Sequence, residues 1–298
     1  MCGRSAPVGL QFFHTLSTFM NTISKIFFSF VLFCSTFGVV AQAQELVILH
    51  TNDTHSQIEP NATTAKYDAN MGGVVRRDAI IRSIRAKHEN VILIDAGDFV
   101  QGTPYFNAFN GDVEIEMMNR MGYQVAVLGN HEFDNGIDPL VHILKQADFP
   151  FIIANYDCSA TALAPYVKPT TIIEQAGIKI GFIGIGSQPE GLIAAKNMVG
   201  IVVLDPVVEI NKHAALLREA GCDYVVVVSH MGYERDDDTR GDRMLAAQSH
   251  GVDLIIGGHS HTLLKQCVEV TNKDGKPVRI TQAGGRGAYL GRIDLKFE

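Results

Sequence analysis

Residues 125–134 read Val125-Ala126-Val127-Leu128-Gly129-Asn130-His131-Glu132-Phe133-Asp134. Four apolar residues rich in valine have the composition of a buried strand, and the glycine ends it. The residues that follow carry oxygen and nitrogen donors. Four other segments repeat the pattern. Residues 46–49 lead to Asp53-Thr54-His55, and residues 91–94 to Asp95-Ala96-Gly97-Asp98. Residues 224–228 lead to Ser229-His230, and residues 254–256 to Gly257-Gly258-His259-Ser260-His261. Strands that stop at one edge of a sheet converge the groups at their ends on one point. Any single segment is explained as well by a buried, hydrogen-bonded histidine or a capping aspartate; five in one chain argue for a shared site. Asp, Asn and His without Cys describe an oxygen and nitrogen site for two divalent ions, of the kind that cleaves phosphoesters.

Working outward, strands alternate with helical patterns over 73–87, 113–121, 139–146, 207–219 and 241–249, with Pro139 and Pro206 at helix starts. Further strands are expected at 151–154, 172–173, 178–185, 278–282 and 290–297, with a hairpin across Ala176-Gly177. A central sheet covered by helices on both faces accounts for runs with so few charges. The fold class is α/β, and one domain over 44–298 is the economical reading.

The first 43 residues differ from the rest. They hold no Asp or Glu, only Arg4 and Lys25 as cations, and an apolar stretch over 26–40. Ala41-Gln42-Ala43 places small residues where a signal peptidase reads, so a signal peptide over 1–43 and export to the periplasm or medium are expected. Met20 is an alternative start. The apolar stretch is short for a membrane span, and Cys34 after Phe33 is a poor lipidation site. Removing the leader lowers 25 cations to 23 against 32 anions, a formal charge of −9. An acidic body argues against nucleic acid polymers as partners. It also needs bound cations before it can attract a phosphate. Cys158, Cys222 and Cys267 form neither a disulfide framework nor a zinc-finger spacing.

The segments at 51–55, 95–98, 128–134, 229–232 and 257–261 resemble those of the calcineurin-like metallophosphoesterases. Within that superfamily they are similar to the catalytic domain of the 5′-nucleotidase and UDP-sugar hydrolase family. Gly72-Gly73-Val74-Val75-Arg76-Arg77, Gln101-Gly102-Thr103-Pro104 and Gln282-Ala283-Gly284-Gly285 strengthen the likeness. The resemblance implies a four-layer sandwich of two mixed sheets flanked by helices. It implies that Asp53, His55, Asp98 and His261 hold one metal, and that Asp98, Asn130, His230 and His259 hold the other. Mn, Zn, Fe and Co all suit this donor set. A metal-bridging hydroxide would attack phosphorus in line. His131 would contact the phosphoryl group and protonate the leaving oxygen, with Asp134 orienting its ring; the alternative is that Asp134 caps the helix beginning near Ile137. His50, His88, His142, His213 and His250 match no part of the motifs.

Relatives of this kind carry a C-terminal domain with an aromatic pair that stacks the base and arginines that help bind phosphate. No such domain is read in this chain, so a separate chain supplying it is one expectation. The substrate is expected to be a nucleotide or another small phosphoester. A 2′,3′-cyclic-nucleotide or broad phosphodiesterase is the alternative reaction, and a non-catalytic scaffold subunit the alternative of another class.

Overall fold

The computed structural model describes residues 44–234 and 241–297; the expected leader at 1–43 lies outside the described residues. In chain order the strands are β1 (Gln44–Thr51), β2 (Val91–Asp95), β3 (Val125–Val127), β4 (Phe151–Ile152), β5 (Tyr156–Asp157), β6 (Val167–Lys168) and β7 (Thr170–Gln175). They continue with β8 (Ile178–Ile185), β9 (Val202–Val203), β10 (Tyr224–Ser229), β11 (Leu254–Gly257), β12 (Val268–Thr271), β13 (Pro277–Thr281) and β14 (Gly291–Phe297). Among them run α1 (Val74–Arg85), α2 (Pro104–Phe109), α3 (Asp112–Met121), α4 (Ile137–Leu144), α5 (Pro206–Glu219) and α6 (Asp242–Gln248).

The strands build two six-stranded sheets, ordered β14-β1-β2-β3-β4-β6 and β12-β13-β11-β10-β8-β7, with β5 and β9 as a separate pair. In the first, β1, β2, β3, β4 and β6 are parallel and β14 is an antiparallel edge. In the second, β8, β10, β11 and β13 are parallel between antiparallel edges β7 and β12. The hairpin across Ala176-Gly177 is present as β7–β8.

The expected single central sheet is therefore two, and side-chain alternation explains the difference. Leu46, Ile48, Ile92, Ile94, Val125 and Val127 pack against Ile180, Phe182, Val226, Val228, Leu254 and Ile256 in one layer between the sheets. Their neighbours Val47, Leu49, Leu93 and Ala126 face outward into a second cluster with residues of α1, α3 and α4. Val225, Val227, Ile183 and Ile255 face outward into a third with residues of α5 and α6. A strand covered by a helix on one side and a sheet on the other is apolar at every position. The architecture is the four-layer α/β sandwich, helix–sheet–sheet–helix.

Two local expectations shift. Helix α4 begins at Ile137 rather than at Pro139. Pro139 is its third residue, where a missing N–H is still harmless because first-turn amides have no intrahelical acceptor. Gly136, with no side-chain hydrogen bond, is the N-cap, so Asp134 does not cap the helix. No described helix is long and apolar enough to cross a membrane.

Candidate metal centre

Parallel strands that end level deliver their following loops to one place. Thr51 pairs in register with Asp95 and Asp95 with Ala126, while Ser229 pairs with Gly257. The loops after β1, β2, β3, β10 and β11 then carry Asp53 and His55, Asp98, Asn130, His230, and His259 with His261. This is the carboxyl edge at which open parallel sheets bind ligands. The loops turn back sharply. Asp53, His55, Asp98, His259 and His261 all have positive φ, between 48° and 70°. A left-handed backbone costs a non-glycine residue on the order of 1–3 kcal/mol and clusters at functional sites.

The side chains meet in three groups whose ligand atoms lie within 4.8 Å of one another: Asp53, His55 and His261; Asp98, His230 and His259; and His55, Asp98 and His131. His55 Nε2 is 2.9 Å from His261 Nε2. Asp53 Oδ1 is 3.3 Å from His261 Nε2, 3.8 Å from His230 Nε2 and 3.9 Å from His55 Nε2. His230 Nε2 is 2.9 Å from Asp98 Oδ2. All seven sequence-derived ligand candidates are thus at the same edge, and Asp98 touches both sets.

The residues fit bound divalent cations on several counts. Two imidazole nitrogens 2.9 Å apart are spaced as ligands about 90° apart on one ion at metal–nitrogen bonds of about 2.1 Å. Asn130 Oδ1 is buried with no hydrogen-bond partner among the described residues. His230 Nδ1 lies 2.6 Å from the Ala96 carbonyl oxygen. A carbonyl only accepts, so Nδ1 carries a proton and Nε2, which faces Asp98, is the atom left for a metal, the arrangement by which metal-bound histidines are oriented. For His230, burial opposes the charged ring, but the Asp98 carboxylate raises it to about 10. Burial would raise Asp98, yet His230 and then His55 and His131 pull it below the usual carboxylate range. A site that holds a proton this strongly between carboxylate and imidazole offers the same charge and donors to a metal, which displaces the proton.

His131 stands apart. Its Nδ1 is 2.7 Å from Asp134 Oδ2, leaving Nε2 as the available ring atom. The hydrogen bond that the ring donates to Asp134 raises the imidazole above its ordinary value, burial opposes this, and Asp98 adds to the rise. The ring is half-buried, with its centroid 5.3 Å from that of His55. The remaining histidines lie elsewhere: His50 is fully buried in β1, and His142, His213 and His250 pair with Asp112, Glu209 and Asp274. His88 lies beside Arg292.

Sequence reasoning missed the residues that hold the ligand loops together. Glu132 is fully buried, and its carboxylate accepts from the backbone N–H groups of Gly129 (2.6 Å), Asp98 (3.0 Å), Phe99 (2.9 Å) and Val100 (3.4 Å). It ties the β2 loop to the β3 loop. Burial raises this carboxyl to about 8, helped by Asp98, while the N–H donors act the other way. Asn52 Nδ2 donates to Asp53 Oδ2 and to the Gly284 carbonyl, and its Oδ1 accepts from Ala283 N–H. Gln282 accepts from Ser260 Oγ and Thr262 N–H and donates to the Gly258 carbonyl. Asp95, raised to about 7 by burial against a Thr51 hydrogen bond, closes its loop through Gly97 N–H. Asn52, Glu132 and Gln282 lie inside the motifs at 51–55, 128–134 and 282–285. The available signal was a polar residue in a motif with no ligand role left for it.

Fold and site together define a phosphoesterase sandwich with a cluster of metal-ligand side chains at the strand ends. The family model for calcineurin-like phosphoesterases matches residues 46–263, and the chain belongs to that family of phosphoester hydrolases. A snake venom 5′-nucleotidase from Crotalus adamanteus is 34% identical over 288 residues, covering 90% of this chain and 48% of the relative. Among solved structures, a 5′-nucleotidase precursor from Thermus thermophilus superposes with a TM-score of 0.76 at 34% identity, covering 86% of this chain and 52% of that one. The NAD nucleotidase of Haemophilus influenzae gives 0.76 at 28% identity, covering 86% and 54%. The chain spans about half the length of these relatives.

Proposed function

We propose that this chain is a dinuclear-metal-dependent phosphoester hydrolase of the 5′-nucleotidase and UDP-sugar hydrolase type. The observation that carries the reading is the gathering of Asp53, His55 and His261 in one group and of His230 and His259 with Asp98 in another, with Asp98 also within reach of His55. Asp53, His55, Asp98 and His261 would hold one ion, and Asp98, Asn130, His230 and His259 the second. When bound, two such ions supply an activated water and neutralise the charge of the phosphoryl oxygens. Their identity among Mn, Zn, Fe and Co is set by availability more than by these donors.

The chain's own residues do the rest. Glu132, Asn52 and Gln282 hold the ligand loops against one another. Asp98 Oδ1 accepts from His131 N–H at 2.9 Å, which fixes His131 beside the shared carboxylate. Asp134 on Nδ1 keeps the ring in one tautomer and favours its cation, so Nε2 presents a proton to the leaving oxygen. His131 and Asp134 are thus the catalytic pair, separate from the seven ligands. A cleavable leader over 1–43, export to the periplasm or medium and a catalytic domain over 44–298 complete the reading. The leader's composition supports it, as do relatives named as a venom enzyme and a precursor. A nucleotide is the substrate most in keeping with the relatives' names.

The test is hydrolysis by the purified Mn-loaded chain of 5′-AMP, UDP-glucose, 2′,3′-cyclic AMP and bis-p-nitrophenyl phosphate. Cleavage of 5′-AMP or UDP-glucose is expected. Cleavage of the cyclic nucleotide alone moves the assignment to a phosphodiesterase. No cleavage of any, with both ions bound, favours the scaffold reading.

A further inference from the structure

A cleft of about 680 Å³ opens beside the metal centre, with His261 in its wall. Its other walls come from residues 57–68 and from the Gly284–Tyr289 region. The volume is that of a small-molecule site. Two cations line it, Lys66 and Arg286, both exposed. In a chain with an excess of seven anions, neither forms an ion pair among the described residues. Asp68, the carboxylate in the same walls, already accepts the Tyr289 hydroxyl at 2.7 Å. The Lys66 ammonium rests 4.9 Å above the ring of Tyr67, itself 70% exposed.

Arg286 is carried on a fixed backbone. Its N–H donates to the Asp53 carbonyl at 2.6 Å, so its main chain is tied to a ligand residue. On one side a Cβ at Gly285 would sit 3.0 Å from the His261 ring; on the other, one at Gly287 would sit 3.3 Å from the Arg77 guanidinium. The loop can come this close only because both positions are glycine. Unpaired cations next to a site for one phosphoryl group call for a second anionic group on the same substrate.

We infer that Arg286 and Lys66 form an anion subsite on the catalytic domain, which binds the phosphate next to the one cleaved and so favours diphosphate esters over simple monoesters. The inference rests on the hydrolase reading above. The glutamine variants Arg286→Gln and Lys66→Gln remove charge while keeping length, and glutamine tolerates the Arg286 backbone as arginine does. Each is assayed with Mn against UDP-glucose and p-nitrophenyl phosphate. The ratio of kcat/KM, diphosphate over monoester, should fall about tenfold for Arg286→Gln, the loss of one charge-assisted contact, and less for Lys66→Gln. Calorimetry of the Mn-loaded proteins with pyrophosphate and with orthophosphate should show the affinity ratio falling in parallel. Unchanged ratios in both assays would overturn the subsite. If the parent chain cleaves neither ester with both metals bound, the hydrolase reading fails, while the pyrophosphate titration still decides for or against the subsite.

Discussion

Replacing Glu132 by glutamine keeps the side chain's shape and removes half of what it does. The carboxylate takes four backbone N–H groups, two on each oxygen, from both ligand-bearing loops. An amide has one oxygen, so its NH₂ must face two of those donors. A buried donor without a partner costs about 1–3 kcal/mol, so at a pH above the raised value of about 8, where Glu132 is ionised, Glu132→Gln should lose about 2–6 kcal/mol of stability, and less at neutral pH. The Gly129 and Asp98 contacts are the shortest pair on one oxygen, so Asp98 and Asn130 should shift with their loops and weaken metal binding. Urea unfolding of parent and variant, each metal-loaded and metal-stripped, reads both effects. Glu116→Gln is the control: its pair with Arg120 is exposed and should contribute under about 1 kcal/mol. A Glu132→Gln loss no larger than the control's, with both ions retained, would refute the view that this carboxylate clamps the loops.

Other substitutions probe neighbouring parts of the account. A Cβ at Gly129 would lie closer than 3.0 Å to Asp98 Oδ1, His230 Nε2 and Asp98 N. Because Glu132 prevents that loop from yielding, Gly129→Ala should remove at least one metal equivalent by elemental analysis and lower turnover about 10²-fold. His131→Ala should lower kcat about 10²–10⁴-fold while both ions stay bound; an unchanged kcat would rule out proton transfer by this ring. His50 is fully buried, and burial depresses its imidazole to about 4. The unfolded chain, near 6.5, binds the proton first, so stability falls as pH drops from about 6.5 toward 4, by on the order of 3 kcal/mol. His50→Leu should flatten that part of the stability profile measured by thermal unfolding, relative to the parent.

Much of this organisation was legible in the sequence because its physics is local. An apolar run ended by donor side chains reads as a strand delivering them to a sheet edge, and the donors after all five runs lie at that edge. The Ile178–Ile185 strand was read at its observed bounds because a tight turn and its partner flank it. The second sheet was not readable from the runs, since Val225–Val228 looks alike whether a helix or a sheet covers it. Short elements such as β5, β6 and β9 have two residues each, too few to show a period. Helix α2 was missed although Thr103 accepts from Tyr105 N–H as an N-cap. Its six residues cannot display an amphipathic stripe. The supporting polar residues escaped for a different reason. Glu132, Asn52 and Gln282 act through contacts up to 232 residues distant in sequence, and no spacing records such a contact.

The central claim is that two ions held by these strand-end residues carry out phosphoester hydrolysis. Its most direct test is a titration of Mn into the metal-stripped chain, with turnover of bis-p-nitrophenyl phosphate measured against the bound equivalents. Turnover is expected to rise with occupancy and to plateau as the second equivalent fills. Full turnover at one equivalent or none, or no turnover of any phosphoester at two, would contradict it.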